Sequence, residues 1–271
     1  MPAKNKSGRK FIEVSPPVET TNVSDIPQAN RLEPVEGVIV LIDASGMKGI
    51  WNREDPFTVL KRWQEAKNNI FVAVRGLGTD LEFHGYDQRK LKFDAFSDTI
   101  IISSPITSGG VGNKGPKPFW QAIMLTGRML MGLYRNSVSD DFFFRGCVST
   151  GEFFRSKDMI IGPAIDEAAE YYGLPEWSGI SCAPSASKKL THAKEMGVSL
   201  ENSFIQYDIP LKGGLEKNGW ALNWPLHPHV TEKYVRHILY EKVRSTKGIS
   251  EYFKFKNTLA FFDFVTASKY S

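Results

Sequence analysis

The chain has 271 residues, 41% of them hydrophobic and 24% charged, and 34 Lys and Arg against 30 Asp and Glu give a net charge of +4. This composition is typical of a folded globular protein and excludes a mainly disordered chain. No apolar run approaches the roughly 20 residues of a membrane span, MPAKNKSGRK at the N-terminus lacks the apolar core of a secretory leader, and the dispersed positive charge gives no support to a nucleic-acid partner.

The first predicted elements are an arm, a strand and a helix. Residues 1–35 hold five prolines and no hydrophobic periodicity, which predicts a flexible N-terminal arm. The continuous β-branched run over 37–42 predicts a strand buried on both faces. Pro56, with acidic residues before it, and the apolar spacing over 57–78 predict a helix that ends at its glycines.

Later segments alternate between strand and helix patterns. A hairpin is predicted over 81–105, followed by a glycine-rich loop over 107–118. The remaining predictions are a helix over 118–134, a strand over 142–154 with a turn at Gly151, a helix over 165–172, a strand over 178–184, a helix over 185–197, a hairpin of 203–214 with 220–225, and helices over 230–245 and 249–268. We therefore expect an α+β domain over 36–226 with a C-terminal helical extension over 227–271.

Two aspartates stand next to predicted strands. Asp43 ends the first strand, and Asp98 lies in the turn before the Thr-Ile-Ile-Ile run. Carboxylates at such positions can converge on hard divalent cations, which serve phosphoryl transfer. Alternatively, Asp43 caps a turn and Asp98 pairs within its hairpin.

Cys147 and Cys182 lie in apolar stretches, so we expect buried free thiols in the cytoplasm.

Five motifs in this order resemble those of the class III nucleotide cyclases, over residues 37 to 225. They are Asp43-Ala44-Ser45-Gly46-Met47 after a strand, Ser97-Asp98-Thr99-Ile100-Ile101 in a hairpin, Arg145-Gly146 through Gly151-Glu152 in a strand, Gly162 through Glu170 opening a helix, and Leu211-Lys212-Gly213 ending a late strand. The resemblance implies a ferredoxin-like β-α-β-β-α-β core. It also implies a homodimer with active sites at the subunit interface.

The same resemblance implies a metal-dependent reaction. Asp43 and Asp98 would hold two Mg²⁺ or Mn²⁺ ions, helped by the backbone at Ala44, while the ribose 3′-hydroxyl attacks the α-phosphorus and pyrophosphate leaves. Ala44 and Met47 would also contact substrate. Lys212 matches a lysine that contacts the triphosphate, although a solvent-exposed hairpin lysine is an equal interpretation.

The chain departs from the family at its catalytic helix. Asp166 and Glu170 replace an Asn and an Arg that stabilise the transition state, and a carboxylate cannot stabilise negative charge on a phosphate. Either another cation takes this role or the site is inactive. Arg75, Arg145 and Lys212 are the candidates.

The residues at the base-recognition positions are also unusual. Asp94 and Met159 stand where adenylate cyclases have a Lys and an Asp. An ionised Asp94 only accepts hydrogen bonds, from uracil N3–H, the cytosine amine or the guanine edge. The 96–102 hairpin, the 162–170 helix and the 221–225 strand resemble the pyrimidine cyclases of Pycsar anti-phage systems. That subset implies conversion of UTP to cyclic UMP, read by a separate effector; a cytidylate or guanylate cyclase and an inactive nucleotide-binding module remain alternatives.

Overall fold

The computed structural model describes residues 33–45, 50, 54–77, 91–106, 119–138, 142–157, 159–226 and 231–268. Its elements are β1 (Val35–Ala44), α1 (Pro56–Leu77), β2 (Lys92–Phe96), β3 (Thr99–Pro105), α2 (Phe119–Ser137), β4 (Phe144–Arg155), β5 (Ile160–Ile161), α3 (Pro163–Tyr171), β6 (Ile180–Cys182), α4 (Pro184–Glu195), β7 (Phe204–Leu211), β8 (Gly214–Leu222), a 3₁₀ turn (Trp224–Leu226), α5 (Glu232–Ser245) and α6 (Ile249–Ala267). Most of the predicted arm, the first part of the predicted hairpin and the glycine-rich loop lie outside the described residues.

Seven strands form one sheet in the order β2-β3-β1-β4-β6-β8-β7, and the short β5 pairs with β4. Strand β1 lies antiparallel between β3 and β4, whereas β6 is parallel to β4. The first six elements therefore run β-α-β-β-α-β with the strand order β2-β3-β1-β4, which is the ferredoxin-like split β-α-β arrangement. The expected α+β fold with this core is confirmed.

Strand β1 is buried on both faces, as its β-branched run predicts. Val38, Val40 and Ile42 point into the large core, which contains residues from α2, α4, α5 and α6. Ile39 and Leu41 point to the opposite face, where a small cluster packs them against α3. Side chains of β1 thus alternate between a thickly covered face and a partly covered one.

The two C-terminal helices complete the large core. Helix α6 contributes buried aromatic residues, including Phe261, whose ring lies 4.7 Å from that of Trp177 and 5.0 Å from that of Tyr207. Aromatic contacts at these separations stabilise a core beyond the area they bury. No helix in the described part of the chain is both long and apolar enough to cross a membrane.

Two further predictions have definite outcomes. The turn predicted at Gly151 is wrong, because β4 continues through this residue opposite Gly37. Gly151 has φ +147°, a conformation that side chains disfavour, so the glycine accommodates the strand rather than ending it. Cys147 and Cys182 are buried and free, as predicted. Burial raises the pKa of both thiols.

Candidate functional site

The partly covered face of the sheet carries several charged strand residues. Asp43 on β1 lies opposite Arg145 on β4, and Leu41, two residues earlier, lies opposite Ile101 on β3. Asp94 on β2 is opposite Ile101. Because directly paired residues point to the same side of a sheet, all these side chains share one surface. We call the surface formed by Asp43, Asp94, Arg145 and Arg155 the polar face.

Asp43 and Arg145 form an ion pair across β1 and β4. Nε and Nη2 of Arg145 lie 2.8 and 2.7 Å from Oδ2 of Asp43, and both side chains are mostly buried. The guanidinium also lies over the ring of Tyr172, 5.4 Å from its centroid. These contacts fix one carboxylate oxygen of Asp43 and leave Oδ1 without a bond to Arg145.

Asp98 lies in the turn of the β2–β3 hairpin, beside the end of β1. The turn passes through Ser97, which has a left-handed backbone with φ +56°. The amide of Ala44 donates to the carbonyl oxygen of Asp98 at 3.1 Å, so the backbone joins the two aspartates. The Asp98 carboxylate is near enough to raise the pKa of Asp43.

The charged neighbours of Asp43 change the proton affinity of its carboxyl group. Burial raises the pKa of Asp43, Arg145 lowers it, and the adjacent Asp98 raises it further, so that the net change is upward. Neighbouring carboxylates repel each other when both are ionised. A proton or a cation between Asp43 and Asp98 relieves that repulsion.

The donor set fits a hard divalent cation. Asp43 and Asp98 provide carboxylate oxygens, which Mg²⁺ and Mn²⁺ prefer. Among the described residues, no group of three or more His, Cys, Asp or Glu side chains is placed to hold a metal ion. An ion at the pair would therefore draw its other ligands from backbone carbonyls, water or substrate phosphates, as Mg²⁺ commonly does.

Lys212 lies in the tight turn between β7 and β8. Its amide donates to the carbonyl of Leu174 at 2.9 Å, and the residue is exposed. Its charge acts on a second lysine, Lys254 of helix α6. The turn that carries Lys212 is thereby connected electrostatically to the C-terminal helix.

Lys254 is half-buried and has charged groups on several sides. Burial lowers its pKa first, Arg145 and Lys212 lower it further, and Glu251 and Asp43 raise it by less. The charged ammonium of Lys254 is therefore less stable in this position than in water. Lys254 brings a third positive charge near the Asp43 end of the polar face.

Asp94 is held by a second ion pair on the polar face. Nη2 of Arg155 lies 2.8 Å from Oδ1 and 2.7 Å from Oδ2 of Asp94, and Nη1 donates to the hydroxyl of Ser103 at 2.8 Å. The Asp94 side chain remains 41% exposed. The carboxylate is thus oriented by Arg155 and still accessible.

Other predicted site residues lie apart from the aspartate pair. Met159 is 59% exposed, before β5, and Asp166 and Glu170 are exposed on α3. In the described part of the chain, no hydrogen bond or ion pair joins these three to Asp43 or Asp98. Met47 and the side chain of Arg75 lie outside the described residues.

Arg155 and Lys254 did not emerge as site residues from the sequence. Arg155 is 61 residues from Asp94, and no local pattern connects them. Lys254 does leave a signal, because it stands four residues before Thr258, within the 3–4 spacing of the buried face of α6. A lysine at that spacing among aromatic residues indicates a cation beside the core rather than on the outer surface.

A cavity of about 410 Å³ opens next to this region. It is lined by Ser45, two residues after Asp43, and by residues of α1 and the α5–α6 connection. Arg62 in its wall is paired with Glu54 at 2.6 Å. Neither Asp43 nor Asp98 lines the cavity.

No protein-family model and no curated protein sequence matches the chain. Several solved structures are similar to it. The adenylyl cyclase CyaB from P. aeruginosa has 13% identity and a TM-score of 0.44, over 70% of this chain and 94% of that one. The catalytic core of a rhodopsin-guanylyl cyclase with converted specificity, in complex with ATPαS, has 10% identity and a TM-score of 0.42, over 71% and 98%. The adenylate/guanylate cyclase/hydrolase from Silicibacter pomeroyi has 14% identity and a TM-score of 0.40, over 70% and 97%.

Proposed function

We propose that the protein is a metal-dependent nucleotide cyclase that converts UTP to 3′,5′-cyclic UMP and pyrophosphate. The observation that carries this proposal is the convergence of Asp43 and Asp98 where the end of β1 meets the turn of the β2–β3 hairpin, with the Ala44 amide donating to the Asp98 carbonyl at 3.1 Å. In the proposed setting, the cytoplasm of a bacterium under phage attack, cyclic UMP would act as a second messenger on a separate effector. The two buried free thiols agree with a reducing compartment.

In the proposed site, Asp43 and Asp98 hold two Mg²⁺ or Mn²⁺ ions. Such ions, when bound, polarise the ribose 3′-hydroxyl and neutralise charge on the triphosphate. Arg145 keeps Asp43 oriented through its two contacts to Oδ2 and so leaves Oδ1 and Asp98 for ligation. The backbone of Ala44 holds the hairpin turn against the end of β1.

The proposed reaction is an intramolecular phosphoryl transfer. The 3′-oxygen forms a bond to the α-phosphorus, the bond from that phosphorus to the bridging oxygen breaks, and pyrophosphate departs with the electron pair while the hydroxyl proton passes to solvent. Negative charge grows on the departing group, so cations beside it stabilise the transition state. Arg145 and Lys212 are the proposed sources of this charge, because Asp166 and Glu170 cannot provide it.

Base selection is assigned to Asp94 together with Arg155. Uracil presents an N3–H donor between two carbonyl oxygens, and the Asp94–Arg155 pair offers a carboxylate acceptor beside guanidinium donors. Cytosine and guanine arrange their hydrogen-bond donors and acceptors differently along the base edge, and the Asp94–Arg155 pair can also bond to these arrangements. CTP and GTP are therefore the alternative substrates.

We further propose a homodimer in which a second copy packs against the polar face. Helix α3 covers this face only in part, and Phe96 at its edge is 84% exposed. A second copy would bury this ring and bring its own exposed Asp166 and Met159 towards the aspartate pair. Light scattering coupled to size exclusion should give twice the mass of the chain, and a monomer that turns over substrate would contradict this arrangement.

The test of the proposed function is a product assay. Purified protein is incubated separately with each of the four ribonucleoside triphosphates and Mn²⁺ or Mg²⁺, and cyclic monophosphates are measured by mass spectrometry. We expect cyclic UMP as the main product, with turnover lowered by about 10²–10³-fold in Asp98→Asn. Glu65→Gln, which removes an exposed carboxylate of α1, is the matched control and should leave turnover unchanged.

A second candidate function is nucleotide binding without turnover. The exposed Asp166 and Glu170 on α3 favour it, because neither can stabilise a developing phosphate charge. Saturable nucleotide binding with no pyrophosphate release from any triphosphate would support this candidate and contradict the cyclase. Cyclic CMP or GMP as the main product would keep the cyclase and overturn the choice of UTP.

A further inference from the structure

We infer that Lys254 of helix α6 is a phosphate-binding residue of the Asp43–Asp98 site, contacting the triphosphate of the substrate. This inference rests on the proposed function for the identity of the ligand. It assigns to the C-terminal extension a direct part in the site rather than a purely structural one. The observations that carry it are the docking of α6, the charges around Lys254 and the burial of its side chain.

Helix α6 is fixed beside the end of β1 by a chain of polar contacts. The amide of Ser178 donates to the hydroxyl of Thr258 at 2.8 Å, and the Ser178 hydroxyl donates to that of Ser45 at 3.0 Å. Thr258 in turn donates to the carbonyl of Lys254, one turn earlier, at 2.7 Å. Because residues four apart share a helix face, Lys254 lies on the side of α6 that faces the segment following Asp43.

Two neighbours of these residues fix the same part of the helix. The ring of Phe255 meets that of Phe143 edge-on at 5.6 Å, immediately before β4 begins. Nδ2 of Asn257 donates to the carbonyl of Glu176 at 2.7 Å. Helix α6 is therefore fixed next to the start of β4, the strand that carries Arg145. This docking also fixes the backbone position of Lys254.

The charges around Lys254 are unfavourable in the absence of an anion. Its side chain is half-buried, with Arg145 and Lys212 as neighbouring cations and Asp43 and Glu251 as neighbouring anions. Within the described residues, Lys254 forms no ion pair. Burial and the two cations lower the pKa of Lys254 by more than the two carboxylates raise it, so these surroundings disfavour the charged ammonium.

A bound polyphosphate would stabilise the charged form of Lys254. Its oxygens accept hydrogen bonds from ammonium and guanidinium groups, and its charge attracts all three cations at once. With cations bound at Asp43 and Asp98, the triphosphate would lie between these ions and the group of Arg145, Lys212 and Lys254.

Inorganic tripolyphosphate tests this role without any turnover. Its binding to the full chain is measured by calorimetry with Mg²⁺ present, for the wild type, Lys254→Ala, Lys254→Arg and Lys256→Ala. Lys256 is the matched control, since it lies on the same helix but is exposed beside Tyr252. We expect Lys254→Ala to weaken binding by about tenfold, as for the loss of one charged contact.

Lys254→Arg should retain most of the affinity, and Lys256→Ala should bind like the wild type. Circular dichroism and thermal unfolding verify that each variant is folded. Unchanged affinity in a folded Lys254→Ala, or no binding of tripolyphosphate by the wild type, would overturn the inference. Failure of the proposed function looks different: tripolyphosphate binding would still depend on Lys254 while no triphosphate yielded a cyclic product.

Discussion

Arg145 lies directly opposite Asp43 in the sheet and places Nε 2.8 Å from Oδ2 of that carboxylate. The two residues are 102 positions apart in the chain, so the antiparallel pairing of β1 and β4 creates the contact. One oxygen of Asp43 is thereby fixed, and the nearby Asp98 raises the pKa of the carboxyl group. The ion pair is thus both a cross-strand contact and the support of the candidate metal ligand.

Replacing Arg145 with Gln should destabilise the fold, because Asp43 then loses its charged partner in a mostly buried position. The expected cost is about 1.5–3 kcal/mol, the range for hydrogen bonds to charged groups. Urea unfolding of the wild type, Arg145→Gln, Asp43→Asn and the double variant measures this cost and the coupling between the two residues. Additive effects of the single changes would contradict the pairing.

Asp94→Asn should change base preference with little effect on stability. The Asp94 side chain is 41% exposed, so we expect its ion pair with Arg155 to contribute only about 0–1 kcal/mol. The amide both donates and accepts, which weakens the match to uracil N3–H. Competition among the four triphosphates at equal concentration measures the preference. An unchanged product ratio would remove Asp94 from base recognition.

Gly146→Ala should destabilise the sheet, because an added Cβ would lie 2.5 Å from the backbone oxygen of Leu41 and 3.3 Å from the Cα of Ile42. Neither backbone atom can move without disturbing the β1–β4 pairing, and overpacking of this kind costs about 1–3 kcal/mol. Thermal unfolding compares it with Gly214→Ala, where an added Cβ meets nothing within 4 Å. Equal stability of the two variants would contradict the β1–β4 register.

The two thiols should be unreactive in the native protein. Cys147 and Cys182 are fully buried, and burial raises the pKa of each, so that the reactive thiolate is scarce at pH 8. A chromogenic disulfide reagent should label neither thiol in the folded chain and both in 6–8 M urea. Rapid labelling of the native protein would show that the region around β6 opens readily.

The order of strands and helices could be predicted because each element carries its own local pattern. The β-branched run of β1, Pro56 at the start of α1 and the aromatic spacing of α6 each depend on neighbours within a few residues. The turn that the sequence predicts at Gly151 is wrong, because a glycine with positive φ occurs both in turns and inside strands.

The candidate site could be predicted only where a motif marked it. Asp43 and Asp98 stand at strand ends, so their types and positions already make them candidate metal ligands. Arg155 reaches Asp94 across the sheet, and only the register of β2, β3 and β4 brings them together. Lys254 depends on the docking of a helix more than 200 residues after β1. Such contacts follow from packing rather than from local sequence.

The most direct test of the account is the binding of Mn²⁺ to the Asp43–Asp98 pair, followed by electron paramagnetic resonance of the free ion. The wild type should bind Mn²⁺, and Asp98→Asn should bind it at least tenfold more weakly, since one of two carboxylate ligands is gone. In metal-free buffer, Asp98→Asn should be as stable as the wild type or more stable by about 0.2–1 kcal/mol, because a like-charge contact is removed. Equal Mn²⁺ affinity in the wild type and a folded Asp98→Asn would contradict the assignment of this pair as the metal site.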